Sequence, residues 1–287
     1  IDLFLCTRKK DLMNLVLTGS TSGIGWETLK ALMPHSDRIF LPVRNVKKAE
    51  KMIQHLFQKE KIVLIPMDLS LMAEVKEGAH QILEQCQEIH LLINNAGGMF
   101  PAGKKTSEGL DLTFATNHLG HFLLTRELMP ALIQGKAKII HVSSIAHQIA
   151  TDPSKDFGLL KSANTGTAYG KGKLYNIMFS NELKNRFESK GISSYALHPG
   201  AVKTAFGSET SLWAKVIIEV SKLIFISPKA GAQTSIFLAT TSKSQLRNGG
   251  YYIKKKPKTP STLARNQRLS AALWNFSEET LQNLGVI

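Results

Sequence analysis

The chain has 287 residues, of which 43% are hydrophobic and 20% are charged. A chain of this length and composition buries a large apolar core, which excludes disorder for most of it. Its formal net charge of +14 favours anionic ligands or surfaces, and its two cysteines are too few for a disulfide framework or a four-thiolate metal site.

Short apolar runs alternate with helical segments along the chain. The predicted strands are Asn14 to Thr18, Arg38 to Val43, Lys61 to Met67, His90 to Asn94, Lys138 to Val142 and Ser193 to Leu197. The predicted helices are Ile24 to Met33, Lys47 to Lys59, Ala73 to Glu88, Leu110 to Gln134 and Tyr169 to Ser189. This alternation predicts an α/β fold with a doubly wound parallel sheet and helices on both faces. Because no repeat or linker divides the chain, we expect a single domain over residues 1–287, with an appended substrate-lid segment at about 203–228.

A glycine-rich turn joins the first predicted strand to the first predicted helix. It reads Thr-Gly-Ser-Thr-Ser-Gly-Ile-Gly over residues 18–25. Glycine lets the backbone turn tightly and approach a ligand, and the helix that follows offers free N–H groups and a positive dipole end to a phosphate. The context therefore predicts a dinucleotide site, although such a turn taken alone is also typical of a tight loop.

This turn and the motifs after it resemble the short-chain dehydrogenase/reductase family, whose cofactor turn has the pattern Thr-Gly-x-x-x-Gly-x-Gly. Further matches, in family order, are Asp68-Leu69, Asn94-Asn95-Ala96-Gly97, Asn117, Ser144, Tyr169 with Lys173, and Pro199-Gly200. The resemblance implies a Rossmann-type fold with a nicotinamide cofactor. The expected cofactor-binding residues are Gly19, Ser20, Thr21, Ser22, Gly23, Ile24, Gly25, Arg44, Asp68, Leu69, Asn95, Ala96, Gly97, Tyr169, Lys173, Pro199, Gly200, Val202 and Thr204.

The end of the second predicted strand indicates which nicotinamide cofactor is used. An acidic residue there would accept hydrogen bonds from the adenosine ribose, whereas a basic residue would pair with a 2′-phosphate. Val43 stands where NAD-dependent relatives carry Asp, and Arg44 follows with a planar guanidinium suited to phosphate. The sequence therefore predicts NADP (NADPH). The alternative is that Arg44 is a solvated residue beside the unspecific charges of Lys47 and Lys48.

Tyr169 and Lys173 are four residues apart, so on a helix they share one face. A cation beside a phenol favours the phenolate and brings the phenol pKa closer to neutrality. By resemblance, Tyr169 is the acid and base, and Lys173 supports it and binds the nicotinamide ribose. Ser144 would bind the developing oxyanion, and Asn117 would hold a water that connects Lys173 to solvent. Ser143 competes for the role of Ser144, but the family pattern places the functional hydroxyl at the last position of Val-Ser-Ser.

The long interval between Ser144 and Tyr169 is similar to that of the retinol dehydrogenase-like branch of the family. Residues 117–125, which read Asn-His-Leu-Gly-His-Phe-Leu-Leu-Thr, support this resemblance. The branch acts largely on retinoids and other lipophilic aldehydes, ketones and alcohols, so the resemblance implies an apolar substrate. The apolar stretch Leu212 to Ile226 is expected to cover the pocket, to lie on a membrane surface or simply to pack against the sheet.

The sequence thus predicts an NADP-dependent oxidoreductase that interconverts a carbonyl and an alcohol on a lipophilic small molecule by hydride transfer. The alternative is an NADP-binding regulatory or scaffold protein with little turnover. We expect no metal, because histidines such as His118 and His121 form no helical pair with an acidic third ligand. We expect no nucleic-acid partner, because no zinc spacing, RNA-binding aromatic motif or basic helix accompanies the charge.

The remaining expectations concern location and assembly. The apolar start Ile1 to Cys6 precedes Arg8, the reverse of the charge order in a secretion signal, and no run spans a membrane. We therefore expect a protein that is cytoplasmic or peripheral to an intracellular membrane, without excluding an anchor upstream of residue 1. The basic run Lys254 to Lys258 is expected to be a solvated loop rather than a membrane contact. A homodimer through the helices at Leu110 to Gln134 and Tyr169 to Ser189 is expected by resemblance.

Overall fold

The computed structural model describes residues 12–159, 164–201 and 226–287. Its strands are β1 (Met13–Leu17), β2 (Ser36–Val43), β3 (Ile62–Pro66), β4 (Leu91–Asn94), β5 (Lys138–Val142), β6 (Ser193–His198), β7 (Tyr251–Ile253) and β8 (Lys256–Lys258). They form one sheet in the order β3-β2-β1-β4-β5-β6-β7-β8, in which only β7 and β8 pair antiparallel. The strand order reverses between β1 and β4, and ligands of open α/β sheets bind at the carboxyl ends of the strands on either side of such a reversal.

Helices connect the strands and cover both faces of the sheet. They are α1 (Gly23–Leu32), α2 (Val46–Ile53), α3 (Met72–Gln85), α4, α5 (Met129–Gln134), α6 (Thr165–Phe187), α7 (Pro228–Thr240) and α8 (Gln267–Asn283). Helix α4 is a continuous run that is α-helical over Leu112–Phe114, π-helical over Ala115–Leu119 and α-helical again over Gly120–Glu127. One core cluster packs α3, α4, α6 and α8 against the sheet, and a second packs α1, α2 and α7 against the other face. This arrangement confirms the predicted doubly wound α/β fold.

The structure differs from the sequence-based expectation most clearly around α4. A single helix over Leu110 to Gln134 was expected, but α4 begins at Leu112 because Asp111 caps it, accepting the N–H groups of Thr113 and Phe114 at 2.8 and 3.0 Å. Pro130 lies in the first turn of the separate helix α5, where its missing N–H costs no hydrogen bond. Helix α6 begins at Thr165, earlier than expected, and β7, β8, α7 and α8 were not predicted as elements.

Helix α8 lies across α4 and α6. Trp274 of α8 packs edge-to-face against Phe122 of α4 with ring centroids 4.8 Å apart, and the Arg186 guanidinium of α6 lies 4.5 Å from the Trp274 ring centroid. The Ser277 hydroxyl hydrogen-bonds Nε2 of His118 at 2.8 Å. The face that was expected to form a homodimer is therefore covered by the chain's own C-terminal helix.

The predicted domain boundaries and the predicted lid segment stay open. The single domain over residues 1–287 stays a prediction, and residues 202–225, which form most of its lid segment, lie outside the described residues. Within residues 12–159, 164–201 and 226–287, no helix has both the length and the apolar character needed to cross a membrane.

Candidate active site

The glycine-rich turn between β1 and α1, residues 18–25, forms a cradle whose backbone conformation and close packing require glycine. Gly19 and Gly23 have left-handed φ values of +65° and +53°. A Cβ on Gly25 would lie 2.0 Å from the carbonyl oxygen of Gly19, so no larger residue fits there. Ser22 occupies the N-cap of α1 without a side-chain hydrogen bond to the helix. A close backbone approach at an uncapped helix N-terminus fits a dinucleotide pyrophosphate.

The turn after β4 is fastened to this cradle. The Thr18 Oγ1 accepts the N–H groups of Asn95 and Ala96, both at 3.0 Å. The Asn95 side-chain amide donates back to the carbonyls of Thr18 and Gly19, at 2.9 and 3.1 Å. The predicted cofactor residues on these two turns are therefore brought together at the carboxyl ends of β1 and β4.

The predicted cofactor residues beyond β2 and β3 line the same edge of the sheet. Arg44 follows Val43, the last residue of β2, and its side chain is exposed. Asp68 follows β3 by one residue, and its Oδ1 accepts the N–H and the hydroxyl of Ser70, at 2.8 and 2.7 Å. The carbonyl of Leu69 contacts α4 so closely that a Cβ on Gly120 would lie 2.2 Å from it.

Ser144, Tyr169 and Lys173 meet where β5 ends and α6 passes. The Ser144 side chain hydrogen-bonds the Tyr169 phenol. The Lys173 Nζ lies 5.7 Å from the Tyr169 ring centroid and donates to the carbonyl of Val142 at 2.9 Å. Ser143 is buried and its hydroxyl donates to the carbonyl of Lys173 at 2.6 Å. The structure thus brings Ser144, and not Ser143, to the phenol.

Burial shifts the pKa values of Tyr169 and Lys173 in opposite directions. It raises the pKa of Tyr169 to about 12, and the hydrogen bond with Ser144 opposes this shift. It lowers the pKa of Lys173 to about 8. The expected shift of the phenol pKa toward neutrality beside Lys173 is therefore wrong for the free protein, because burial disfavours the phenolate. At neutral pH the free protein therefore holds a protonated phenol beside a lysine that is mostly charged, an arrangement suited to donating a proton.

Asn117, in the π-helical turn of α4, lies next to Lys173 and the turn after β4. Its Oδ1 accepts the N–H of Gly98, and its Nδ2 donates to the Gly98 carbonyl, both at 2.9 Å. A Cβ on Gly97 would lie 2.6 Å from the Asn117 Oδ1 and 3.2 Å from the Lys173 Nζ. Asn117, Lys173 and the turn after β4 are therefore in close contact, as the motif order predicts.

Two histidines support the turn after Ser144: His147 lies within it, and His198 contacts it from the end of β6. His147 is buried; its Nδ1 is 2.7 Å from the carbonyl of Ser144, and its Nε2 accepts the N–H of Ser261 at 3.1 Å. The Nδ1 of His198 accepts the N–H of Ile145 at 3.2 Å. Burial and, to a smaller extent, the nearby His147 lower the pKa of His198 to about 4. The contact between His147 and the Ser144 carbonyl joins residues only three apart, and this short spacing is the sequence signal for it.

The same turn presents apolar surface next to the Ser144 hydroxyl. Ile145 is 43% exposed and Ile149 is 62% exposed, and both lie in the short 3₁₀ turn Ile145–Ile149. The Phe100 ring packs over Gly98, where a Cβ would lie 2.9 Å from the ring.

The loop after β6 completes the described part of the site. Pro199 and Gly200 follow β6, and Gly200 adopts a left-handed φ of +100°. The carbonyl of Ala201 accepts the N–H of Ile226 at 2.8 Å. Val202 and Thr204, which were expected to bind the cofactor, lie outside the described residues. In the part of the chain that the structure describes, no group of three or more His, Cys, Asp or Glu residues has a metal-binding arrangement.

Comparison with known proteins agrees with this geometry. A sequence model of the short chain dehydrogenase family matches residues 14–215. Retinol dehydrogenase 12 of Homo sapiens is 33% identical over 271 residues, which cover 93% of this chain and 85% of that protein. The chloroplastic short-chain dehydrogenase TIC 32 A of Brassica napus is 30% identical over 286 residues, covering 95% and 89%.

Solved structures show the same fold. A protein from Mycobacterium paratuberculosis is 26% identical, with a TM-score of 0.74 and coverage of 94% of this chain and 93% of that one. Carbonyl reductase from chicken fatty liver, solved with bound NADPH, is similar in fold at 21% identity, with a TM-score of 0.62 and coverage of 84% and 95%. The chain therefore belongs to the short-chain dehydrogenase/reductase family, in its retinol dehydrogenase-like branch, and is a nicotinamide-dependent oxidoreductase that acts on an alcohol or a carbonyl.

Proposed function

We propose that the protein uses NADP(H) to interconvert a carbonyl and an alcohol on a lipophilic small molecule, with Tyr169 as the acid and base. The contact of the Tyr169 phenol with Ser144, beside the Lys173 ammonium, is the observation that carries the proposal. These three groups can supply a proton and hydrogen bonds to one oxygen atom, which a carbonyl reduction requires.

A bound nicotinamide supplies or accepts the hydride in this chemistry. In the reducing direction, the Tyr169 hydroxyl gives its proton to the substrate oxygen while the Ser144 hydroxyl donates a hydrogen bond to the same atom. The Lys173 ammonium stabilises the phenolate that remains, and the Asn117 side chain holds the adjoining Gly98 backbone in place. In the oxidising direction, the phenolate takes the alcohol proton.

Arg44 supports NADP(H) as the cofactor. Its guanidinium is exposed directly after β2, and the preceding residue, Val43, offers no carboxylate to a ribose hydroxyl. A guanidinium gains charge-assisted hydrogen bonds from a 2′-phosphate that NADH lacks.

Two observations support a lipophilic substrate. The exposed side chains of Ile145 and Ile149 belong to the turn that Ser144 begins, and a polar substrate would gain no hydrogen bonds from them. The relatives of about one-third identity are named retinol dehydrogenases. The proposal includes a location in the cytoplasm or at the periphery of an intracellular membrane. Lipophilic substrates partition into such a membrane.

The test measures NADPH and NADH oxidation with all-trans-retinal and with a medium-chain aldehyde. Tyr169→Phe removes the transferable proton, and we expect kcat to fall by about 10² to 10⁴ while NADPH binding is kept. Tyr175→Phe is the matched control, because Tyr175 lies on the same helix, is fully buried and donates only to the carbonyl of Phe157, at 3.1 Å.

Arg44→Gln is the cofactor arm of the same experiment. Losing a charge-assisted bond to phosphate should raise the KM for NADPH by about tenfold or more and leave that for NADH unchanged. Equal changes for the two cofactors would remove the support for NADP(H). If the wild-type protein binds NADPH but turns over no carbonyl in a broad panel, the scaffold alternative replaces the proposal.

A further inference from the structure

The Thr18 hydroxyl oxygen is surrounded by more partners than an ordinary strand-end threonine has. It is buried and accepts the N–H groups of Asn95 and Ala96, both at 3.0 Å. The hydroxyl has two candidate acceptors for its own hydrogen: the Nε2 of His121 at 2.9 Å and, in a longer hydrogen bond, the carbonyl of Ile93 at 3.4 Å. The shorter distance favours His121. His121 belongs to α4 and is buried as well.

The partners of this oxygen determine which nitrogen of His121 carries the proton. A hydroxyl oxygen accepts two hydrogen bonds, and the N–H groups of Asn95 and Ala96 occupy both of those places. An Nε2–H group on His121 would be a third donor to the same oxygen. The consistent arrangement has the Thr18 hydroxyl donating to an unprotonated Nε2, so the neutral imidazole carries its proton on Nδ1.

We propose that His121 is a positioning residue for the cofactor: its Nε2 accepts the Thr18 hydroxyl hydrogen and so directs both acceptor sites of that oxygen at the turn formed by Asn95 and Ala96. This inference rests on the proposed function and deepens it, because Asn95 and Ala96 of that turn are expected to bind the cofactor. His121 itself touches neither cofactor nor substrate and acts through Thr18.

The geometry of α4 supports this assignment. Asn117 and His121 are four residues apart, so they lie on one face of the helical run. Asn117 holds Gly98 at one end of the turn, and His121 holds the other end through Thr18. Burial and, to a smaller extent, the Lys173 ammonium lower the pKa of His121 to about 3, and the Asn117 carbonyl opposes this shift. The imidazole is therefore neutral near pH 7, as an acceptor on Nε2 requires.

The competing interpretation is that His121 is simply a core residue. His118 makes a matched comparison, because it is on the same helical run, is buried to the same extent and hydrogen-bonds Ser277 of α8 instead of the cradle. If packing alone mattered, replacing either histidine would affect cofactor binding equally.

The first experiment titrates the full-length protein with NADPH, following cofactor fluorescence, and measures Tm for each variant. We expect His121→Leu to raise the Kd for NADPH by about tenfold, the usual consequence of leaving a buried hydroxyl without its acceptor. His118→Leu should lower Tm while leaving the Kd within about twofold of wild type. Equal changes in Kd for the two variants would overturn the proposal.

A double-mutant cycle tests whether His121 acts through Thr18. In a Thr18→Val background, His121→Leu should raise the Kd no further, because the hydroxyl that it positions is gone. Additive effects would overturn the proposal. His121→Gln, whose amide oxygen is an acceptor, should recover part of the affinity that His121→Leu loses.

A measurement on the unaltered protein keeps the proposal testable if a variant fails to fold. The ¹⁵N chemical shifts of the imidazole distinguish the two neutral tautomers, and we expect His121 to be protonated on Nδ1. Protonation on Nε2 would overturn the proposal. Because tautomer and Kd are read without turnover, absence of carbonyl reduction would contradict the proposed function alone.

Discussion

Lys173 combines burial with a charge. Its Nζ is held by the carbonyl of Val142 beside the Tyr169 ring, and its own carbonyl accepts the Ser143 hydroxyl. Burial lowers its pKa to about 8 and raises that of Tyr169 to about 12. The phenol therefore keeps its proton throughout the neutral range, and the lysine is the group of this pair that changes charge just above it.

We predict a pH dependence of carbonyl reduction that follows from this pair. Below about pH 7 the ammonium is present and kcat/KM should be flat; above about pH 8 Lys173 loses its proton, and kcat/KM should fall by up to about tenfold per pH unit. In Lys173→Arg the guanidinium stays charged, so a less active enzyme without this descending limb is expected. If kcat/KM still decreased near pH 8 in Lys173→Arg, another group would be responsible for the decrease.

At the residue scale, a local sequence pattern indicates which side chains come together, whereas a distant contact leaves no such pattern. The glycine cradle and the Tyr169 and Lys173 spacing are local, and the structure brings these residues together as expected. The bond from Ser261 to His147 joins residues 114 positions apart, and no local pattern indicates it. The roles of Asn117, Ser144, Tyr169 and Lys173 stay predictions until their variants are measured.

At the scale of elements, strands were easier to predict than helix interiors. Each buried parallel strand has a short apolar run at its centre, so its approximate position follows from composition, while its ends include polar residues such as Ser36 and Lys138. The π-helical turn Ala115–Leu119 contains no glycine or proline, and its sequence reads as ordinary helix. Pro130 is a local signal for the break before α5 that hydrophobic periodicity overlooks, whereas the antiparallel pairing of β8 depends on tertiary contacts.

The hairpin between β7 and β8 leads to a stability prediction. Ile253 pairs with Lys256, so Lys254 and Lys255 form a two-residue loop, and both have left-handed φ values, +50° and +65°. Such loops favour Asn-Gly, and a β-carbon in this conformation is strained. Lys254→Asn with Lys255→Gly should raise the free energy of unfolding by about 1 kcal/mol and Tm by about 2 °C.

Calorimetry and urea unfolding check this prediction. Lys256→Gln with Lys258→Gln is the matched control, since it removes two charges from the same hairpin and leaves the loop backbone unchanged. An equal gain in the control would show that relief of charge repulsion, and not backbone conformation, is the cause.

At the scale of the whole molecule, α8 determines which surfaces are free for assembly. It covers the face of α4 and α6 with Trp274 and Ser277, through which relatives were expected to pair. A homodimer stays a prediction, but pairing through this face would require α8 to be displaced, exposing the buried Trp274 side chain.

We therefore predict that no homodimer forms through α4 and α6. Light scattering at micromolar concentration should give a mass near the 31.7 kDa of one chain, unless copies associate through another surface. A dimer with crosslinks between α4 or α6 of two copies would contradict this prediction.

The packing of α8 also leads to a stability prediction. Trp274→Ala should lower the free energy of unfolding by about 3 kcal/mol, because it empties a packed aromatic site.

The contact between His147 and Ser261 has a consequence for how the chain tolerates shortening. One imidazole connects the carbonyl of the proposed oxyanion-binding residue, Ser144, to the backbone of the segment that leads into α8. A premature stop codon just before Ser261 would thus remove both this support and helix α8 without deleting any residue of the proposed catalytic set. A truncated protein of this kind would lose activity although its proposed catalytic residues were all still encoded.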